Sequence, residues 1–380
     1  MARRGQRDLP ALYRRNRTKL GTHMALAQLT SLWQKSGEKA RAGHLPRWRQ
    51  WLEIITLYLL RRQGPNYYFA ARFFRRSISF RDKWRHCDDR EWEAFIDAVN
   101  APLYQKTSQH KLLEKAVLTF AGVPTPSFAG FIHSMRGYRA DHAPLCNNQQ
   151  ADAFFRQHLG KRLCFKGVEG FGGMSFRALN VIEQDGQIVL QHPISAKVFS
   201  LSEFLAPLWQ DHEGTLVEHY LQQHPLLASF NPDSVNTVRL WLGEIDGRFE
   251  TFGAFLRVGR RGTQVDNTSM GGLMCPIDRD SGKLLEVRQI KTGESFSHHP
   301  DTGAEMLGVA IPFWPQVIEA SIKAVCAFPH MRFAGLDIAI GEHGPMIIEL
   351  NVNPDRRGAT HLDMPHKDMF ERMLHSPRPQ

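Results

Sequence analysis

The sequence predicts an α+β fold with a mainly helical N-terminal region, on three observations. Residues 1–105 carry apolar side chains at helical spacing, with no strand, glycine loop and helix in succession. From Leu163 onward, short apolar runs alternate with Asp-Gly and Gly-rich turns. Residues 335–354 read as a β-hairpin, with apolar runs at 336–340 and 346–350 and a turn at 341–345.

In that hairpin, residues two apart face the same way, so Glu349 and Asn351 share a face, and pairing across the turn brings Asp337 beside them. Carboxylates this close repel unless a cation sits between them, and an all-oxygen donor set favours a hard ion such as Mg2+. A magnesium platform for nucleotide phosphates is the expectation. An ordinary hairpin with acidic residues on its wet face is the alternative.

The helical region opens with Leu26, Leu29 and Trp33 at helical spacing, followed by the apolar run 51–60 and by Trp92, Phe95, Ile96 and Val99. The run 51–60 contains Glu53 and is too short to cross a bilayer, so a buried helix is expected there. Tyr67 to Arg85 mixes aromatics with arginine, which suits core packing, with a platform for a partner as the alternative. A helix over 105–120 then ends at Gly122, with Pro124 and Pro126 blocking its continuation. Lys111 and Lys115 lie four apart on one face of it, an arrangement that is usually a solvated surface pair.

A strand at 163–166 leads through Lys166 into a loop holding Gly167, Gly170, Gly172 and Gly173, and a second strand resumes at Ser175. Glycines let backbone N–H groups approach an anion, although the loop lacks the terminal Lys-Ser or Lys-Thr of a P-loop and no helix follows. Asp185-Gly186 and Asp246-Gly247 are hairpin turns. Residues 214–221 read as a strand ending in a linker, and its Glu218 could accept from an exocyclic amine. Arg239 and Arg257 sit on paired strands and can clamp a phosphate or a carboxylate by forked hydrogen bonds. Residues 266–272, including Asn267, form a polar loop suited to covering a site. An amphipathic helix over 315–327 leads into the hairpin, and a closing helix with a frayed tail follows.

With 380 residues, 42% of them hydrophobic and 23% charged, the chain has an ordinary globular composition with room for two or three domains. Cys87, Cys146, Cys164, Cys275 and Cys326 form no CxxC pair, which argues against a disulfide framework or a zinc site and fits a reducing cytoplasm. The start is Arg-rich and interrupted by Asp8 and Pro10, unlike a secretory leader. Net charge is +10, with the excess early: Arg3, Arg4, Arg7, Arg14, Arg15, Arg17 and Lys19, then a second group from Arg61 to Arg85. A solvated basic face or peripheral contact with an anionic membrane accounts for it, and nucleic acid is the less favoured partner.

The ordered set, at 111–126, 163–176, 216–221, 224–242, 257–272 and 335–354, resembles the ATP-grasp superfamily, and within it the sugar-transfer associated ATP-grasp group. No single motif carries the resemblance; their order does. It implies two α+β subdomains gripping ATP behind the helical region, with boundaries near 105 and 213. It implies that Lys115, Lys166 and Lys111 contact nucleotide phosphates, with Gly170, Gly172 and Gly173 as a mobile lid. Glu218 would meet the adenine amino group and the main chain of His219, Tyr220 and Leu221 the adenine edge. Arg239 and Arg257 would contact the γ-phosphate or an acyl phosphate, and Asp337, Glu349 and Asn351 match the magnesium ligands of a D…ExN pattern, with Mn2+ able to replace Mg2+. Where many members have Pro-Gly, this chain has Pro354-Asp355-Arg356-Arg357, so Arg356 and Arg357, with Asn353 and Asn267, are substrate-side candidates. The implied activity is an ATP-dependent carboxylate–amine ligase working through an acyl phosphate on a small-molecule carboxylate and amine, in surface-saccharide or small-peptide biosynthesis. A hydroxyl kinase, a non-catalytic nucleotide-binding adaptor and a homodimeric state stay open.

Overall fold

The computed structural model describes residues 22–169, 175–266 and 271–376, so Gly170, Gly172, Gly173, Asn267 and the basic residues from Arg3 to Lys19 lie outside the described residues. The chain divides into two compact units, Met1–Asp88 and Asp89–Gln380.

The described part of the first unit is helical: α1 (Thr22–Arg41), α2 (Arg47–Arg61), α3 (Pro65–Ala70) and α4 (Phe80–Trp84). Ser79 caps α4 by accepting from the Asp82 N–H at 3.1 Å. On α2 the buried residues are Gln50, Glu53, Ile54 and Leu57, the spacing of one helical stripe. Ile54 and Leu57 pack against Tyr67, Tyr68, Phe73 and Phe74, the aromatic stretch expected in the core. The run 51–60 is helical but not buried as expected. A second apolar stripe, Trp48, Leu52, Ile55 and Leu59, faces away from that core and is exposed. Apolar count alone cannot tell a helix with one covered face from one with two.

The second unit begins with α5 (Asp89–Val99), α6 (Pro102–Gln109) and α7 (Lys111–Phe120). The single helix expected over 105–120 is broken at His110, whose imidazole caps α7 by accepting from the Leu113 N–H at 3.3 Å. Gly122 closes α7 in the left-handed region at φ +64°, as anticipated. A first sheet follows: β1 (Phe128–Ile132), β2 (Tyr138–Arg139), β3 (Arg162–Gly167), β4 (Arg177–Gln184), β5 (Gln187–Gln191), β6 (Val198–Ser200) and β7 (Thr215–His219), with α8 (Asn148–Gln157) and α9 (Leu201–Leu205) between strands. All pairs are antiparallel, in the order β2-β1-β7-β3-β4-β5-β6. The β4–β5 turn places Asp185 and Gly186 both at positive φ, as a two-residue hairpin requires.

After α10 (Pro225–Phe230) comes a second antiparallel sheet: β8 (Thr237–Ile245), β9 (Arg248–Val258), β10 (Leu273–Pro276), β11 (Val287–Gln289), β12 (Ser295–Phe296), β13 (Phe333–Gly341) and β14 (Gly344–Asn351), with α11 (Trp314–Cys326) before β13. Its order is β12-β11-β10-β9-β8-β13-β14. Two short helices, α12 (Gly358–His361) and α13 (His366–His375), end the described chain. The β13–β14 hairpin is tighter than the turn expected at 341–345, since Gly341 pairs with Gly344.

Period-two alternation decides what each sheet does with its faces. In the first, Leu163, Phe165 and Val217 enter a core with Phe154, Phe155 and Phe204, so Cys164, Lys166 and Glu218 point the other way. In the second, Val238, Leu240, Leu242, Leu336 and Ile338 pack under Val317, Ala324 and Val325 of α11, so Thr237, Arg239 and Asp337 take the opposite face. Farther along that opposite face Trp241 and Phe333 meet Trp92 and Phe95 of α5, and Phe95 stacks on Phe370 of α13 at 3.9 Å. Burying such rings contributes about 1.5–3 kcal/mol each. Gly358 is needed here, because a Cβ on it would lie 2.5 Å from the Trp241 ring.

The chain crosses between sheets at residues 124–127 and again at 220–224. The crossings run side by side, with the His219 N–H donating to Ser127 O at 3.0 Å. On the second sheet's side, Ile347 N–H donates to Pro124 O and His224 N–H to Ile340 O, both at 2.8 Å. Gln223 is locked there, its amide donating to Asn231 O (2.9 Å) and Ser234 O (2.8 Å) while its carbonyl accepts from Asn236.

Candidate active site

A cavity of about 290 Å³ lies between the outward faces of the two sheets. The first sheet and crossing supply Cys164, Lys166, Glu218, His219, Tyr220 and Leu221; the second supplies Thr237, Arg239, Arg257, Asp337, Glu349 and Asn351; Lys111 enters from α7. Lys115 joins Lys111, Lys166 and Glu218 in an adjoining recess.

The strand register explains the convergence. Asp337 is paired across β13–β14 with Glu349 and across β13–β8 with Arg239, so three charged residues stand in one row. A bulge between Asp337 and Ile338 resets β14 so that Ile347 points into the core while Glu349 lies in that row. Arg239 grips Asp337 through two bonds, Nε to Oδ1 at 2.5 Å and Nη2 to Oδ2 at 3.0 Å, and Arg257 Nη2 reaches Oδ1 at 3.0 Å. Burial alone would raise the Asp337 carboxyl, but the two guanidinium groups hold it below its ordinary value.

On the first sheet Glu218 is buried and takes both lysines: Lys115 Nζ lies 2.5 Å from Oε1 and Lys166 Nζ 2.6 Å from Oε2. Burial resists the charge, yet the lysines keep Glu218 below the usual carboxylate range. The same burial lowers Lys115, whereas in Lys166 attraction to Glu218 outweighs burial and raises it. Lys115 also donates to Thr125 Oγ1 at 3.1 Å and to Pro126 O, tying α7 to the first crossing. Lys111 Nζ stands 3.5 Å from Glu349. The lysine pair that alone would be solvated is thus turned inward, one member to each sheet.

The donor set suits a hard cation in part. Glu349 and Asn351 line the cavity, and Asn351 Nδ2 is buried with no hydrogen-bond partner. Since amide oxygen and nitrogen exchange places by a flip, that position can equally present an oxygen to an ion. Of the four lone-pair sites of Asp337, guanidinium bonds fill three, leaving one on Oδ2.

Asn353, Arg356 and Arg357 do not line the cavity. Asn353 accepts from Trp92 Nε1 at 2.9 Å, Arg356 pairs with Asp89, and Arg357 is exposed with its N–H bonded to Asp355. Three residues that sequence reasoning passed over belong here. Glu114 is buried between the two lysines on α7, accepts from the Leu350 N–H at 3.1 Å, and is raised well above its ordinary value by burial and by Glu349. Its signal was a carboxylate on the apolar stripe of an amphipathic helix. Asp266 accepts from Thr237 N–H at 3.0 Å and from its hydroxyl, and stands 3.6 Å from Arg257; burial raises it. Gln264 spans the cleft, exchanging hydrogen bonds with the main chain of Ala178 on β4.

Residues 91–374 match the family model described as sugar-transfer associated ATP-grasp. The chain belongs to that family. Its two facing sheets with a helical region ahead of them are the α+β ATP-grasp fold. No curated protein sequence matches this ATP-grasp chain. Among solved structures it is similar to L-amino acid ligase from Bacillus licheniformis, at 12% identity and TM-score 0.41 over 73% of this chain and 51% of that one. D-alanine–D-alanine ligase from Bacillus anthracis gives 13% and 0.40 over 72% and 70%, and N5-carboxyaminoimidazole ribonucleotide synthetase from Thermotoga maritima 9% and 0.40 over 78% and 58%. The chain spans about half the length of the first of these. No described helix is long and apolar enough to cross a membrane.

Proposed function

We propose that this ATP-grasp chain is an ATP-dependent carboxylate–amine ligase acting on small molecules. The observation that carries the reading is the convergence of Lys111, Lys166, Arg239 and Arg257 from both sheets and α7 on one cavity, with Lys115 in the adjoining recess and Asp337, Glu349 and Asn351 on the same sheet as the arginines. Four cations around a common space and a fifth beside it suit a triphosphate, and the acids on the second sheet suit a divalent ion. In this reading the substrate carboxylate attacks the γ-phosphorus of ATP, ADP leaves, and an amine displaces phosphate from the acyl phosphate to give an amide.

Positioning and electrostatics are the protein's whole contribution, with no covalent nucleophile. Lys115, Lys166 and Lys111 hold phosphates, the loop of Gly170, Gly172 and Gly173 excludes water that would hydrolyse the acyl phosphate, and Arg239 and Arg257 stabilise charge on the transferring group. Glu218 and the main chain of His219 to Leu221 receive the adenine. Glu349 and Asn351, with the remaining site on Asp337, would hold Mg2+ or Mn2+, which when bound neutralises charge on the β- and γ-phosphates. Asn267, and Asn353, Arg356 and Arg357 outside the cavity lining, are substrate-side candidates by the family pattern alone. The reading divides the chain near 105 and 213 into a basic helical region, a glycine-loop subdomain and a hinge-and-metal subdomain, in a cytoplasmic enzyme.

The test is ADP and phosphate release across paired acids and amines, with mass spectrometry on each hit and hydroxylamine to trap an acyl phosphate. Glu349→Ala should cut Mg-dependent turnover by about a thousandfold while leaving cooperative unfolding intact. Unchanged turnover would remove the metal assignment. A stable phosphorylated product formed without any amine would replace the ligase by a hydroxyl kinase.

A further inference from the structure

The outward stripe of α2 has no place in the ligase reading. Trp48, Leu52, Ile55 and Leu59 are 69%, 58%, 52% and 69% exposed, spaced by four, three and four residues, and so line one face of the helix opposite Gln50, Glu53, Ile54 and Leu57. Tyr58 and Leu60 beside them are 58% and 65% exposed. A contiguous apolar face on a helix whose other side is already packed marks an interaction surface, since single exposed apolar residues are ordinary but a row of them is not.

Charge selects the partner. Residues 1–88 hold 20 Lys and Arg against 5 Asp and Glu, net +15, while residues 89–380 hold 28 against 33, net −5. The whole positive excess of the protein belongs to the unit that carries the stripe. Arg49 near the start of α2 and Arg62 just past its end keep half or more of their side chains in water, and Arg41, Arg76 and Arg81 of the same unit are exposed.

We infer that α2 docks this protein on an anionic membrane surface, lying in the interface with Trp48, Leu52, Ile55 and Leu59 among the acyl chains and the arginines at the headgroups. An amphipathic helix with Trp and aliphatics on one face and basic residues around it is the form that interfacial binding takes, and apolar burial and attraction to anionic lipid add. Two copies of this unit facing each other would instead bring two strongly positive surfaces together. A nucleic acid would use the arginines but leave a row of Leu and Ile without a role.

The test is co-sedimentation of the full chain with vesicles rich in phosphatidylglycerol and with pure phosphatidylcholine. Binding to the first, at least about tenfold weaker to the second and weakened by added salt, is expected. Replacing Trp48, Leu52, Ile55 and Leu59 together by Ser should cut vesicle binding by at least about tenfold, with the circular dichroism melt retained. Should that variant not fold, Trp48→Phe serves: it keeps binding but loses bilayer-dependent fluorescence quenching by brominated lipid. Equal binding of wild type and serine variant, or quenching unaltered by Trp48→Phe, overturns the inference. So does a wild-type dimer that the serine changes convert to monomer without any vesicle binding, and so does binding to a DNA or RNA oligonucleotide that ignores those changes.

Discussion

Lys83 in the helical unit and Lys166 in the cleft each meet a buried glutamate, Glu53 at 2.7 Å and Glu218 at 2.6 Å, yet the two pairs are built for different ends. Glu53 also accepts from the Tyr68 hydroxyl at 2.8 Å, beside the aromatic cluster of Tyr67, Phe73 and Phe74. Burial there lowers Lys83 even though Glu53 pulls the other way. Glu218 carries a second lysine and borders a cavity. Glu53 also meets Arg49 Nε at 3.4 Å, so each acid carries two cations; what separates the structural brace from the candidate site is the open wall. A closed pair is expected to answer to mutation as stability, an open one as binding.

The largest stability effect should come from the closed pair. Glu53→Ala strands Lys83 in the core and should cost about 3–5 kcal/mol in denaturant unfolding. His366 extends the comparison to a group buried between Trp92 and Phe370 with its Nε2 on Arg356 O. Burial pushes its pKa down to about 4 from 6.5. Because the unfolded chain takes up the proton first as pH falls, stability should be full above about 6.5 and drop by about 3 kcal/mol on going down to about 4. His366→Gln should flatten that part of the pH–stability curve; an unaltered slope would deny the burial argument.

Glu218→Gln should cost only about 1–3 kcal/mol, since its lysines can be hydrated from the cavity, and should weaken nucleotide binding measured by calorimetry. If it destabilises as much as Glu53→Ala, the distinction between open and closed pairs fails. Smallest should be Thr237→Val, which removes the hydroxyl joining Asp266 to Arg257 Nε (3.1 Å) and Nη2 (2.7 Å) and should cost about 1 kcal/mol with a larger fall in turnover.

Strands β8, β9, β13 and β14 of the second sheet were readable because their signals are local: an apolar strand ending at Leu240 to Leu242, an Asp-Gly turn at 246–247, and a hairpin whose residues 349 and 351 must share a face; β10, β11 and β12 were not read. The break at His110 was not, because only the cap bond to Leu113 distinguishes two short helices from one longer one. Nor was the outward stripe of α2, since an apolar residue carries no mark of which face will be covered. Glu114 and Asp266 escaped for the reason that makes them interesting: each is a carboxylate whose partners, Leu350 and Thr237, lie far along the chain. The mutual pairing of the cleft's charges needs both sheets in place before it exists at all.

The side-by-side crossings confine any relative swing of the two sheets to a few bonds. Gln223 is pinned by carbonyls of Asn231 and Ser234 and the Tyr220 N–H is bonded to Arg162 O at 3.0 Å, so torsional freedom in the return crossing is left to Leu221 and Gln222, while two prolines stiffen the outgoing one. Lys115 is anchored to Pro126 O and to Glu218 at once. The jaw and its pivot therefore share one ammonium group beside the His219–Ser127 main-chain bond, and whatever draws that ammonium away from Glu218 leaves the main-chain bond to hold the joint.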